Sequence, residues 1–155
     1  MSANLFTMNW TTITENDLLC ALNKNQLDLL KAEAMHRNDT SMCVKVIELV
    51  VSRIRAEIAA SGINMLDKDY AKIPLELKDC ALKLAIEALQ TRMDCFEISS
   101  AQQRAADNAR EILARVASGK LPVSRPRNGI KTARKHSIAY GVSQRKITRN
   151  TTESI

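Results

Sequence analysis

Four cysteines, two histidines and two closely spaced aspartates are the residues of this chain best suited to bond-making or metal chemistry. Cys20, Cys43, Cys80 and Cys95 stand 23, 37 and 15 residues apart. No CxxC occurs, and neither His36 nor His136 lies at a metal-ligand spacing from a cysteine. The cysteines therefore read as buried thiols on helix faces, each a small hydrophobe. Asp67 and Asp69, two apart, would hold a cation weakly and read as solvated loop acids. The histidines sit in polar stretches with no obvious acid or nucleophile partner nearby in sequence and read as surface residues. There is no G-x-S-x-G, no glycine-rich phosphate loop, no H-E-x-x-H, and no H-x-E followed by P-C-x-x-C. An enzyme is disfavoured, and no catalytic, cofactor-binding or metal residue is expected.

The remaining chemistry is electrostatic. From Lys120 to Ile155 there are nine Lys or Arg against one acid, whereas Met1 to Gly119 carries 14 basic and 16 acidic residues. The chain thus divides into a near-neutral body, residues 1–119, and an extended basic C-terminal arm, residues 120–155. Three readings fit such an arm: a solvated tail, a nucleic-acid arm that neutralises phosphates, or a segment that docks into a large protein assembly. The third is favoured because apolar residues alternate among the charges, as strand addition to a partner's sheet requires and a purely electrostatic arm does not. The expected partner-binding residues are Arg125, Arg127, Ile130, Lys131, Arg134, Lys135, Ile138, Tyr140, Val142, Arg145, Lys146 and Ile147.

The elements that would position this arm are helical. Thr14-Glu15-Asn16-Asp17 reads as an N-cap with acids in the first turn. A short helix through Leu18, Leu19 and Leu22 follows, broken at Asn23 and Asn25, and then a second using Leu27, Leu30 and Met35. Between Thr40 and Ser61, Cys43, Ile47, Val50, Ile54 and Ile58 mark one face of a long helix, with Arg53, Arg55 and Glu57 on other faces and Gly62 as its stop. Residues 63–73 read as a loop. Pro74 suits the first turn of a wide-faced central helix carrying Leu77, Ala81, Leu84 and Ala88. Ser100 and Gln103 form a capping-box pattern before a last helix with Ala105, Ala109, Ile112, Leu113 and Val116 inward. Beyond it, Pro122, Pro126, Gly129 and Gly141 break helices. The fold class expected is all-α, a small helical bundle with an extended arm. Aromatic residues are 3% of the chain, too few for a base-stacking platform. No secretory signal and no membrane span are read, which suggests a cytoplasmic protein.

Several stretches in this order carry a resemblance. They are the capped opening Thr14-Glu15-Asn16-Asp17-Leu18-Leu19, the long helix with Ile54, Glu57 and Ile58, and the entry Ile73-Pro74-Leu75-Glu76-Leu77-Lys78-Asp79-Cys80-Ala81-Leu82. The helix Ala105-Ala106-Asp107-Asn108-Ala109-Arg110-Glu111-Ile112-Leu113 then leads into Ala117-Ser118-Gly119-Lys120-Leu121. Over residues 11–123 the chain resembles the head–tail connector (adaptor) proteins of tailed phages, especially the Mu-like connector family. A P-x-x-L helix start and a closing A-x-G-[KR]-[IL] are typical of that family. The chain differs where the family often has an Arg-Tyr pair and a proline: here Ser61-Gly62-Ile63-Asn64-Met65 stands.

The resemblance implies a non-enzymatic virion protein at the head–tail junction, assembled in the host cytoplasm as a dodecameric ring beneath the portal. It implies the portal protein and a tail-completion or tail-terminator protein as partners, with the C-terminal segment reaching into the portal. Genomic DNA would pass through the channel without specific binding. The alternative function is a DNA-binding packaging or regulatory protein with a basic arm.

Overall fold

A computed structural model describes residues 10–37, 41–93 and 95–131. These residues are mostly helical, with two small antiparallel sheets that the all-α expectation did not contain. In chain order they form β1 (Trp10–Thr12), α1 (Glu15–Ala21), α2 (Lys24–Arg37), α3 (Met42–Ala60), β2 (Met65–Asp67), β3 (Lys72–Pro74), a 3-10 turn (Leu75–Leu77), α4 (Lys78–Gln90), α5 (Ser100–Ala117) and β4 (Gly129–Lys131). No helix among them is long and apolar enough to cross a membrane.

The caps set the helix starts. Thr14 Oγ1 accepts from Asp17 N at 3.2 Å, and Asp17 Oδ2 accepts from Thr14 N at 2.9 Å, so each satisfies an N–H that the first turn of α1 leaves open. Asn23 does not simply break the chain. Its Oδ1 accepts from Gln26 N at 2.9 Å, which caps α2. The α5 capping box lies one residue earlier than expected, on Ser99 and Gln102. At the other end of α3, Gly62 takes φ +66°, a left-handed turn that costs glycine little.

The core sits between α3, α4 and α5. The expected stripe Cys43, Ile47, Val50, Ile54 and Ile58 is buried, and Met42, Val46 and Val51 widen it. From α4 come Cys80, Ala81, Leu84, Ala85, Ile86 and Leu89; from α5, Ala106, Ala109, Leu113 and Val116. The small residues of α5 let its backbone approach α4 closely. An Arg110–Glu87 ion pair ties the two helices at the surface. α2 joins the body by few contacts. It buries Leu30 and Gln26, whereas Met35 is exposed, not inward as expected. Gln26 exchanges amide hydrogen bonds with Gln102 at 3.0 and 3.1 Å and donates to Glu97 O, so its burial leaves no cost unmet.

Residues 63–73 are not a plain loop. They supply two strands: β3 pairs with β1 (Thr11 opposite Ile73), and β2 pairs with β4 (Leu66 opposite Ile130). Pro74 closes β3, and α4 begins only after the 3-10 turn. Three-residue strands carry too little pattern for period-two reading, and such ribbons stand only when side chains pin them.

Candidate docking surface

Residues 120–131 lie on the body. Leu121 and Val123 pack against the core, Pro126 is buried, and hydrogen bonds stitch the segment down. Trp10 Nε1 donates to Ser124 O at 2.9 Å. Val123 N donates to Asn64 Oδ1 at 3.2 Å, while Ser124 N and Oγ donate to the two oxygens of Glu76 at 2.7 and 3.0 Å. Lys68 N donates to Asn128 O at 3.1 Å, and β4 then pairs with β2. The first part of the basic segment, residues 121–131, is therefore bonded to the helical body.

Of the expected partner-binding residues, Arg125, Arg127, Ile130 and Lys131 are described, and all four are exposed. Ile130 and Lys131 share β4, and Arg125 and Arg127 flank buried Pro126. Arg134, Lys135, Ile138, Tyr140, Val142, Arg145, Lys146 and Ile147 lie outside the described residues, as does His136. The described end of the chain is Lys131, opposite Met65 at the start of β2.

Sequence reading missed Arg55. It belongs to no solvated face: it is buried, and its guanidinium is enclosed by backbone. Nη1 donates to Asp69 O at 3.0 Å and Lys72 O at 2.6 Å; Nη2 donates to Asp67 O at 2.7 Å. The Trp10 and Tyr70 rings lie 5.7 and 5.5 Å from the guanidinium carbon, within cation–π range. Burial lowers the Arg55 pKa from its ordinary value, and the charges of Asp67 and Asp69 oppose that shift. One side chain thus joins all three strands before β4. Its planar fork is what three diverging carbonyls need. Asp67, expected to be solvated, is buried beside it, and Asp67 Oδ1 accepts from Asp69 N at 2.8 Å. Asp69 Oδ1 in turn accepts from Ala71 N at 3.0 Å, and that bond holds its carboxyl below the usual range. The acids shape a turn. Among the described residues no group of three His, Cys, Asp or Glu is placed to hold a metal ion.

The cysteines separate into two classes. Cys43 and Cys80 are buried as expected, but Cys20 and Cys95 are exposed, and all four are free. Burial first, and Glu15 second, push the Cys43 thiol up to about 11, which makes it a poor nucleophile at neutral pH. Burial also raises Cys80. His36 is exposed, as expected.

Beside Arg55 runs an apolar groove of about 690 Å³. α3 forms its floor with Val44, Ile47 and Val51, and Ile13, Leu66 and Tyr70 close its sides. Val44 is 42% and Tyr70 81% exposed, so the groove is open to solvent. Glu15, Glu48, Ser52 and Arg55 are the polar members of its lining, and Arg55 donates to the carbonyls of Asp67, Asp69 and Lys72. An open groove with this apolar floor suits contact with another apolar surface. No family profile matches the chain, and neither a curated protein nor a solved structure matches it.

Proposed function

We propose that this chain is a structural head–tail connector (adaptor) of a tailed-phage virion, a ring-forming joint whose arm docks to the portal. The observation that carries the reading is the ordered set of stretches from Thr14 to Leu121 that resembles the connector family. Two further features support it. The basic excess lies in the C-terminal segment, and the described chain ends on an exposed strand, β4, with Ile130 and Lys131 outward. A body with a docking arm is what a ring joint requires, since repetition of one weak contact multiplies affinity through effective concentration. The portal and a tail-completion protein are the proposed partners, and the head–tail junction is the proposed location.

Because residues 121–131 are stitched to the body, the informative truncation is after Lys131. A cut at Arg125 would also remove buried Pro126 and β4. The chain ending at Lys131 is expected to keep its helical circular dichroism and thermal transition and to stop co-sedimenting with portal rings. Unchanged co-sedimentation of the truncated chain overturns the proposal. Tight duplex binding by the full chain at about 150 mM salt, with a steep salt slope, would instead favour a DNA-binding arm.

A further inference from the structure

The groove on α3 has no cover among the described residues. Leu66 of β2 lines the groove, and Ile130 of β4 is its direct cross-strand neighbour. Directly opposed residues of an antiparallel pair project from the same face of the ribbon. Ile130, 48% exposed, therefore extends the apolar surface of the groove onto the strand that carries the C-terminal arm. The arm starts at the rim.

Length and pattern agree with this exit. The floor from Val44 to Ala59 spans 15 residues of helix, roughly 22 Å at about 1.5 Å per residue. Twenty-four residues follow Lys131, and an extended chain advances about 3.3 Å per residue. Seven residues, the separation of Lys131 and Ile138, measure about 23 Å when extended, comparable with the length of the floor. Ile138, Tyr140 and Val142 then alternate, so an extended segment presents all three to one side. Basic pairs bracket them: Arg134-Lys135 before, Arg145-Lys146 after. The groove lining also holds two acids, Glu15 and Glu48, opposite in charge to those basic residues, while the Arg55 guanidinium is enclosed by carbonyls and rings.

We propose that the α3 groove seats the Ile138–Val142 stretch of the chain's own C-terminal arm. A tether this short holds the segment at high local concentration, which favours the same chain over a second copy. The inference concerns the isolated protein and stands apart from the connector reading. If both hold, the portal and the groove compete for one set of residues.

Methyl NMR of the full chain tests it, comparing wild type with a double variant, Ile138→Asp and Tyr140→Asp. The methyl signals of Val44, Val51 and Leu66 are expected to move, those of distant Leu113 to stay, and the wild-type spectrum to be unchanged by dilution. Superposable groove methyls in the two proteins overturn the proposal. Wild-type groove signals that drift toward the variant on dilution also overturn it, because they assign the groove to a second copy's arm. A second variant works from the groove side. Val44 is exposed, so Val44→Asp preserves the core, and trypsin is expected to cut at Arg134 and Lys135 several-fold faster than in wild type. Equal cleavage rates count against the proposal. No portal is present in either experiment, so its outcome is separate from that of the connector test.

Discussion

The two ribbons of this protein have the same strand length and the same antiparallel pairing, yet they are held in different ways. In β1–β3, Trp10, Ile73 and Pro74 are buried, so the ribbon is one wall of the core. In β2–β4, Met65 and Leu66 are half-buried and Ile130 and Lys131 are exposed. That second ribbon relies on polar stitches: the bond to Asp67 O from the Arg55 guanidinium (which also holds Lys72 O of β3), the Lys68–Asn128 bond, and the Asn64 and Glu76 contacts to Val123 and Ser124. Core burial excludes water from a ribbon, whereas stitches near the surface compete with water and each contribute only about 1 kcal/mol. The C-terminal end of the body is thus the part built to open first.

The largest test of this difference is Trp10→Ala. It removes a buried indole, its hydrogen bond to Ser124 and one of the two rings beside the Arg55 guanidinium. Loss of about 3–5 kcal/mol is expected, read as a lower midpoint in chemical denaturation. A loss below about 1 kcal/mol would mean that β1–β3 is no more anchored than its counterpart. Arg55→Lys should cost less, about 2–3 kcal/mol, because an ammonium cannot serve three carbonyls with a planar fork. Hydrogen exchange separates the ribbons in that variant. The Lys68 and Ile130 amides should exchange much faster and the core side of β1–β3 only slightly so; equal acceleration of both would break the distinction.

How far these features were legible from the residues depended on which physical signal each one leaves. Burial of Cys43, Ile47, Val50, Ile54 and Ile58 followed from a period that repeats over about four turns, and Thr14 and Gly62 act through local geometry that their residue types announce. Arg55 left no such mark. It sits one step from Ile54 on a helix, where an arginine is ordinarily solvated, and only the return of residues 67–72 across α3 buries it. The four strands were invisible for a related reason: each is three residues long, and three residues cannot display alternation. The groove was equally hidden, because Val44 and Leu66 meet through tertiary packing and not through spacing. Of the arm, sequence marked the basic content, but the anchoring of residues 121–131 depends on Trp10, Asn64 and Glu76, more than 45 residues away in each case.

The smallest expected effect concerns the end of the anchored ribbon. β1 leads into α1 and β3 into α4, and Asp17 joins the two helices by accepting from Lys78 Nζ at 2.8 Å. That bond first, and those from Thr14 second, lower the Asp17 pKa from 3.8 to about 2. A carboxyl lowered on folding binds its proton more readily in the unfolded chain. Its stabilisation is therefore fully present above about pH 4 and is lost as pH falls toward 2. The side chain is 26% exposed, so solvent screening limits the effect to about 1 kcal/mol. Asp17→Asn removes the titration while keeping a side chain that can still cap α1. The variant should be less stable than wild type at neutral pH, and the gap should close between about pH 4 and 2. A gap that stays constant through that window would show that ionisation of Asp17 is not coupled to folding, through Lys78 or through the Thr14 cap.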